Sequence, residues 1–260
     1  MKKDPQFKNT VSVVILTHNS SCKIKDCLES VTWASEIVVV DDLSQDDTVD
    51  RVRRYTDRVY SRKWDVEGIH RNYAYSLAEG DYVLSLDSDE RVSPELKEEI
   101  LQCMREGFEF DCYNISHRNY LGSQWLRHGG WYPNSKLKLY KKVLPVYEDT
   151  EPHPRVLLPG ARSSLKNDLI HLAYDNYSQL ISKMNYQTDM EARKWVKDRR
   201  KMTGFNAFRK AVDRFFRAYI GKGGYKDGLA GVMTALTGAL YQILTYAKYR
   251  ELTQSAKSST

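Results

Sequence analysis

Apolar residues over the first hundred positions come in short continuous runs, separated by stretches with helical spacing. "VSVVIL" (11–16), "EIVVVDD" (36–42) and "YVLSL" (82–86) are such runs, and "RVYS" (58–61) is a weaker one. A run without polar alternation has both faces covered, which is the pattern of a buried parallel strand. Between the runs the spacing predicts helices. The first starts near Ser21, with Ile24, Leu28 and Val31 on one face and a serine near its start as N-cap. "SQDDTVDRVRRY" has acids in its first turn and bases in its last, as the helix dipole favours. Residues 67–79 form a third, with Gly80 as the stop signal. "SPELKEEILQCM" is a fourth, with Ser93 as N-cap and Pro94 at its first position. This alternation predicts an α/β fold: a Rossmann-like, mostly parallel central sheet with flanking helices.

After Arg105 the pattern is mixed. "FDCYNIS" (110–116) and "SKLKLYKK" (135–142) read as strands, the second alternating with period two. "RHGGWYPN" between them is a glycine-containing loop rich in hydrogen-bond donors, and 148–160 is a proline-punctuated loop. From Tyr177 onward the chain reads as helical, which divides it into an α/β region, 1–175, and a helical C-terminal region, 176–260. The stretch 228–247 is uncharged, about the length of a spanning helix. Its glycine, threonine, glutamine and tyrosine residues keep it only modestly apolar, so a helix in a membrane interface or packed on the protein is expected ahead of a span.

Charge sharpens the reading of the C-terminal region. The whole chain carries +6. Lys and Arg at 193, 194, 197, 199, 200, 201, 209, 210, 214, 217, 222 and 226 make this a basic extension. Trp195, Phe205, Phe208, Phe215, Phe216 and Tyr219 interleave with them. The expected partner is an anionic membrane surface or a phosphorylated substrate. Nucleic acid is electrostatically compatible, but no recognised RNA- or DNA-binding motif is present. The four cysteines form no CxxC pair, and no signal-type apolar segment precedes the first strand. Reduced thiols and a cytoplasmic location are therefore expected.

Ligands on an open parallel sheet bind beyond the carboxyl ends of its strands. Thr17 and Asn19, Asp41 and Asp42, and Asp87 and Asp89 follow three of the strands and converge there. The Asp87-Ser88-Asp89 triplet suits a divalent ion, because Mg²⁺ and Mn²⁺ take oxygen ligands and share them with substrate phosphates. A solvated turn is the bland alternative for a lone DxD. An EF-hand is excluded, because Val92 stands where that loop needs glycine. Glu90 is expected in the helix-capping turn. Asp46 and Asp47 read as caps of the second helix. Arg71 and Asn72 lie on the helix feeding the fourth strand, where Arg71 meets either a nucleotide or a site carboxylate. Neither GxGxxG nor GxxxxGK[ST] occurs, which argues against dinucleotide and P-loop chemistry.

Together "VSVVILTHNS", "EIVVVDDLSQDDT" and "RNYAYSLAEGDYVLSLDSDERV" resemble the nucleotide-binding half of family-2 glycosyltransferases of GT-A fold. "RNYLGSQWLRHGGWYPNSKLKLYKK", "DLIHLAYDN" and "GGYKDGLAG" are similar to the subgroup that includes bacterial lipopolysaccharide-core β-glucosyltransferases. The resemblance implies an inverting transfer of a hexose, glucose first, from a UDP-sugar to a lipid-linked or lipopolysaccharide-core acceptor at the cytoplasmic face of the inner membrane. It implies that Thr17, Asn19 and Asp41 line the nucleoside pocket with support from Arg71. Asp87, Ser88 and Asp89 would lie at the diphosphate, with Asp87 and Asp89 as ligands of Mg²⁺ or Mn²⁺. Arg127, His128 and Trp131 would face the diphosphate or the acceptor. Where the subgroup has a His-Glu pair, this chain has His153-Pro154. Proline cannot serve as a base, so Glu151, then Asp149 and His153, are the candidates. The same departure leaves open a non-catalytic sugar-nucleotide or glycan-binding scaffold of envelope assembly. Homo-oligomerisation is open too.

Overall fold

The structure is a computed structural model that describes residues 5–143, 146–149 and 155–258. The chain forms two compact units. The first comprises 1–117 with 135–171, and the second 118–134 with 172–260.

Nine strands run in chain order: β1 (Val11–Thr17), β2 (Glu36–Asp41), β3 (Val59–Ser61), β4 (Tyr82–Asp87), β5 (Glu90–Val92), β6 (Cys112–Leu121), β7 (Gln124–Trp125), β8 (Ser135–Lys141) and β9 (Arg162–Tyr174). The helices are α1 (Ser21–Glu29), α2 (Thr48–Val52), α3 (Glu67–Ser76), α4 (Pro94–Glu106), α5 (Tyr177–Lys197), α6 (Gly204–Phe216) and α7 (Gly228–Ser258).

In the first unit β3-β2-β1-β4 are parallel neighbours, as the continuous apolar runs require. The sheet continues through β8, β6, β9 and β5, and here the pairs β4–β8, β8–β6 and β9–β5 are antiparallel. Register levels the parallel strand ends: Thr17 stands opposite Asp41, and Leu16 opposite Asp87. Successive side chains of a strand point to opposite faces, and each face has its own core. Val13, Ile15, Leu84 and Leu86 pack with Ile24 and Leu28 of α1 and Leu96 and Ile100 of α4. Val14, Leu16, Val38, Val40 and Val83 pack with Ala74 and Tyr75 of α3 and Tyr140 of β8.

Local chemistry follows the sequence with two corrections. Ser93 caps α4 by accepting from Leu96 N at 3.2 Å, with Pro94 in its first turn. Ser20, at the N-cap of α1, instead donates its hydroxyl to His18 O at 2.9 Å. Gly80 is not a left-handed helix stop, since α3 ends at Ser76 and its C-cap residue is Leu77. A Cβ at Gly80 would lie 2.7 Å from Ser12 Oγ and 2.8 Å from Ser12 N, so glycine is required by the close approach of β1.

In the second unit, β7 pairs with the far end of β6. A small core of Leu121, Leu126, Leu180 and Ala230 is flanked by Trp131, Tyr174 and Met233. Helices α5 and α6 both pack along α7. Asn176 caps α5 through Gln179 N, and Thr203 caps α6 through Asn206 N. A π-helical segment, Arg217–Gly221, and a 3₁₀ turn, Gly224–Asp227, join α6 to α7. The stretch Gly224–Gln254, most of which is α7, is long and apolar enough to cross a membrane by length and composition, and about a third of its most apolar part is buried.

Leu84 is fully buried on β4, between parallel β1 and antiparallel β8. Leu84→Ala is expected to destabilise the protein by about 3 kcal/mol, the usual cost of a leucine-sized cavity. A denaturant midpoint unchanged from the wild type would contradict this placement.

Candidate active site

The loop after β1 and the loop after β2 are tied together. Asn19 adopts φ +43°. Its amide donates to Ser44 Oγ at 2.8 Å, and its side-chain carbonyl accepts from Gln45 N at 2.8 Å. Asparagine tolerates this left-handed conformation better than most residues. Asp41 is buried and accepts from Ser44 N at 2.9 Å and from the Ser44 hydroxyl. Thr17 is also buried, and its Oγ1 finds no hydrogen-bond partner among the described residues. Asp46 accepts from the Thr48 hydroxyl and from Ser21 N and Thr48 N, so it serves the starts of two helices, and these bonds, the hydroxyl's first, hold its carboxyl down at about 2. Asp47 forms an exposed pair with Arg51 instead.

The segment after β4 is built around a buried ion pair. Glu90 is fully buried in β5 rather than in a capping turn. It accepts from Lys138 Nζ at 2.6 Å and from Asp87 N at 3.0 Å, and its other oxygen lies 3.0 Å from His117 Nε2. Burial alone would raise its carboxyl; Lys138 and His117 overcome that and hold it well below the usual range. Lys138 is raised in turn, because Glu90 and Asp87 outweigh its desolvation. Asp87 has Lys138 Nζ at 3.6 Å from one oxygen and Arg71 Nη1 and Nη2 each at 3.4 Å from the other. Desolvation pushes Asp87 up, and these two cations leave it lower than normal. Ser88 is in hydroxyl contact with Ser20 at 2.8 Å. Asp89 lies 3.6 Å from His171 Nε2, because β9 pairs His171 directly opposite Glu90.

The proline-rich loop is anchored from the same helix that carries Arg71. Asn72 donates to Tyr147 O at 2.8 Å and accepts from Val146 N and Tyr147 N at 2.9 and 3.0 Å. A bridge between Tyr147 and Val156 closes the loop beyond. Asp149 is exposed on it. Glu151 and His153 lie outside the described residues, as does Pro154.

Arg127, His128 and Trp131 belong to the second unit. Arg127 is exposed, with its guanidinium 4.2 Å from the Trp125 ring centroid. His128 is clamped on Asp227, with N to Oδ2 at 2.8 Å and Nδ1 to Oδ1 at 2.6 Å. Trp131 packs edge-on against Tyr174.

Residues 12–158 match the family model described as Glycosyl transferase family 2. The chain belongs to glycosyltransferase family 2. An uncharacterised glycosyltransferase of Rickettsia conorii is 26% identical over 95% of this chain and 92% of its own length. The lipopolysaccharide core biosynthesis glycosyltransferase LpsC of Rhizobium meliloti is 23% identical over 93% of this chain and 92% of its own. Among solved structures, Staphylococcus aureus TarS aligns with TM-score 0.48 at 16% identity, over 87% of this chain and 55% of that one. Glucosyl-3-phosphoglycerate synthase of Mycobacterium tuberculosis, solved with Mn²⁺ and UDP, aligns with TM-score 0.37 at 22% identity, over 43% of this chain and 44% of that one. Neither structural likeness carries residue roles over to this glycosyltransferase.

Sequence reasoning missed Lys138, His117 and His171. The alternation in "SKLKLYKK" leaves no sign that Lys138 is buried, and the two histidines sit in strands whose partners are remote in sequence. His70 was also missed. It is buried and stacks on Trp64 with ring centroids 4.7 Å apart. Burial first, then Arg62, lowers its pKa below the ordinary 6.5.

Glu90→Gln removes the nearer of the two carboxylates facing buried Lys138 and is expected to cost about 3 kcal/mol, whereas Glu90→Leu with Lys138→Met should recover much of that. Equal stability of Glu90→Gln and wild type in urea titration would contradict the pairing. His70 gives a pH signature. Because its folded pKa is lowered, its share of stability is present above pH 6.5 and is lost as pH falls through the lowered value. The wild-type Tm should therefore drop more between pH 7.5 and 5 than that of His70→Gln, and parallel drops would refute the assignment.

Proposed function

We propose that this glycosyltransferase moves a hexose, glucose first, from a UDP-sugar to a lipopolysaccharide-core or other lipid-linked envelope sugar, with inversion and with metal assistance at the DxD site. The observation that carries the proposal is the pairing of Asp89 with His171 beside an Asp87 held by Arg71 and Lys138. The similarity to a lipopolysaccharide core biosynthesis glycosyltransferase over 93% of the chain supports the acceptor class.

Thr17, Asn19 and Asp41 are assigned to the nucleoside. The buried Thr17 hydroxyl, which has no partner among the described residues, supports this, because an orphaned polar group in a crevice is satisfied at little cost by a polar ligand. Asp87, Ser88 and Asp89 are assigned to the diphosphate, with Arg71 in support. Asp87 already has two cations against it, so Asp89 and His171 are the residues that would hold Mg²⁺ or Mn²⁺ directly. Among the described residues no group of three or more metal-binding side chains occurs. One carboxylate and one imidazole fit a site whose remaining ligands are diphosphate oxygens and water. When bound, the ion supplies Lewis-acid stabilisation of the departing diphosphate.

The chain's own residues do the rest. Arg71 and Lys138 keep the Asp87 carboxylate ionised and fixed, so that it needs no reorganisation when charge develops nearby. Inversion needs a base on the opposite face of the sugar, and segment 149–153 is assigned that role, with Glu151 ahead of Asp149 and His153. Asn72 fixes the place where that loop emerges. Arg127, His128 and Trp131 are assigned to the diphosphate or acceptor.

Region 1–175 is assigned to donor binding and catalysis. Region 176–260 is assigned to peripheral contact with the cytoplasmic face of the inner membrane. Helix α6 supports this contact: Phe205 is 75% exposed, Phe208 61% and Phe216 56%, with Val212 on the same stripe and Arg209 and Lys210 beside it. Apolar side chains flanked by basic ones suit an interface-lying helix.

Asp89→Ala and His171→Ala are each expected to lower metal-stimulated UDP-glucose hydrolysis about 100-fold or more, the scale of removing one preorganised electrostatic group. Full metal-stimulated turnover in Asp89→Ala would sink the assignment. For the membrane, Phe205→Ser with Phe208→Ser should release the protein from phosphatidylglycerol vesicles in a sedimentation assay. Undiminished pelleting would remove α6 from that role.

A further inference from the structure

The two stretches "RHGGW" and "GGYKDG", far apart in sequence, meet in the second unit through His128 and Asp227, and the first of them lines a cavity. It has a volume of 410 Å³, within the range of about 300–1,000 Å³ usual for small-molecule sites. One wall is the Gly129–Gly130–Trp131 turn, and the other carries Arg214, Arg217 and Lys222. The floor is built from small residues of α7, including Ala235 and Gly238. The lining has three cationic side chains and no carboxylate.

The frame is fixed before any ligand arrives. His128 holds Asp227 through two hydrogen bonds, and Gln124 donates to Asp227 O at 2.7 Å. Gly129 N donates to Lys222 O at 3.0 Å, which ties the turn directly to the basic segment. Gly130 has φ +88°, and a Cβ there would lie 2.9 Å from both Cδ and Nζ of Lys222. Glycine at 130 therefore lets the lysine lie across the turn. A Cβ at Gly238 would lie 3.6 Å from Arg214 Nε, so any longer side chain there would fill the floor.

The cations are poorly neutralised by the protein. Arg217 reaches Asp213 at 3.0 Å, but both side chains are more than half exposed, so the pair is screened and exchanges readily with another anion. Arg214 lies 5.6 Å from the Tyr241 ring centroid, a contact that leaves its N–H groups available. Like charges gathered round one cavity repel, and an anion with several acceptor oxygens relieves them through charge-assisted hydrogen bonds. Trp131 adds a half-buried aromatic wall, a surface that suits the apolar face of a sugar ring.

We propose that this cavity binds a phosphate ester, with Arg214, Arg217 and Lys222 on the phosphoryl oxygens and Trp131 beside the group that carries the phosphate. The phosphate comes either from the acceptor glycan or from a lipid headgroup. The first source deepens the function proposed above, and only the kinetic arm of the test rests on that reading.

The binding arm uses the full chain in EDTA with saturating UDP, which keeps the donor crevice filled and metal-free. Titration calorimetry with glucose 6-phosphate should show one saturable site. Arg217→Gln with Lys222→Gln should weaken it at least tenfold, Lys222→Arg should retain it, and Lys197→Gln on α5 should leave it unchanged. Circular dichroism of each variant separates misfolding from lost binding. No saturable site in the wild type, or equal affinity in the folded double variant, overturns the proposal. The second arm separates the sources. A tenfold rise in KM for a phosphorylated core oligosaccharide, with KM for its dephosphorylated form unchanged, assigns the phosphate to the acceptor. Lost pelleting with phosphatidylglycerol vesicles, with both KM values unchanged, assigns it to a headgroup. UDP-glucose hydrolysis by the double variant reads the donor site independently, so failure there and failure here are distinguishable.

Discussion

The buried contact between Glu90 and Lys138 organises the crevice beyond the parallel strand ends. A carboxylate and an ammonium taken out of water are costly unless each is compensated. Here compensation recruits the neighbourhood: Glu90 also accepts from the Asp87 amide and meets His117, while Lys138 faces Asp87 as well. Three strands and the turn after β4 are committed to one arrangement as a result. The close-set carboxylates 87, 89 and 90 avoid mutual repulsion by dividing their partners. Glu90 takes Lys138 and His117, Asp87 takes Arg71 with Lys138, and Asp89 takes His171.

That division gives each acid a different chemistry. Glu90 is out of solvent and structural. Asp87 is held ionised by two fixed cations. Asp89 faces an imidazole, the donor type that a carboxylate-based metal site can use as an additional ligand. Parallel register contributes the other half of the crevice, because it levels Thr17, Asp41 and Asp87 at the strand ends. Helix α3 then serves two sites from adjacent residues, with Arg71 on Asp87 and Asn72 on the loop backbone at Tyr147. The orientation of one carboxylate and the origin of the proline-rich loop thus share a single rigid element.

The second unit repeats the logic with a different purpose. His128 is held on Asp227 through its amide and Nδ1, which fixes the "RHGGW" turn and leaves the adjoining glycines to line the cavity. Basic residues that look uniform along the sequence are sorted by the helices: Arg214 and Arg217 face the cavity, while the outer stripe of α6 is phenylalanine-rich.

The sequence by itself determined the parallel half of the sheet, the α4 cap, the helical C-terminal region and the family. Each of these depends on local periodicity, on a capping residue or on contiguous motifs, and such signals act within a few residues. It also located Asp41, Asp87 and Asp89 at strand ends, because strand ends are where apolar runs stop. Only the tertiary structure decided the partners. His171 reaches Asp89, His117 reaches Glu90 and Lys138 is buried against Glu90 and Asp87 because antiparallel pairing brings together strands remote in sequence. The same holds for His128 and Asp227, 99 positions apart. No one-dimensional pattern encodes such a pairing, since the free energy that selects it comes from burying charge in company, and the company is chosen by the fold.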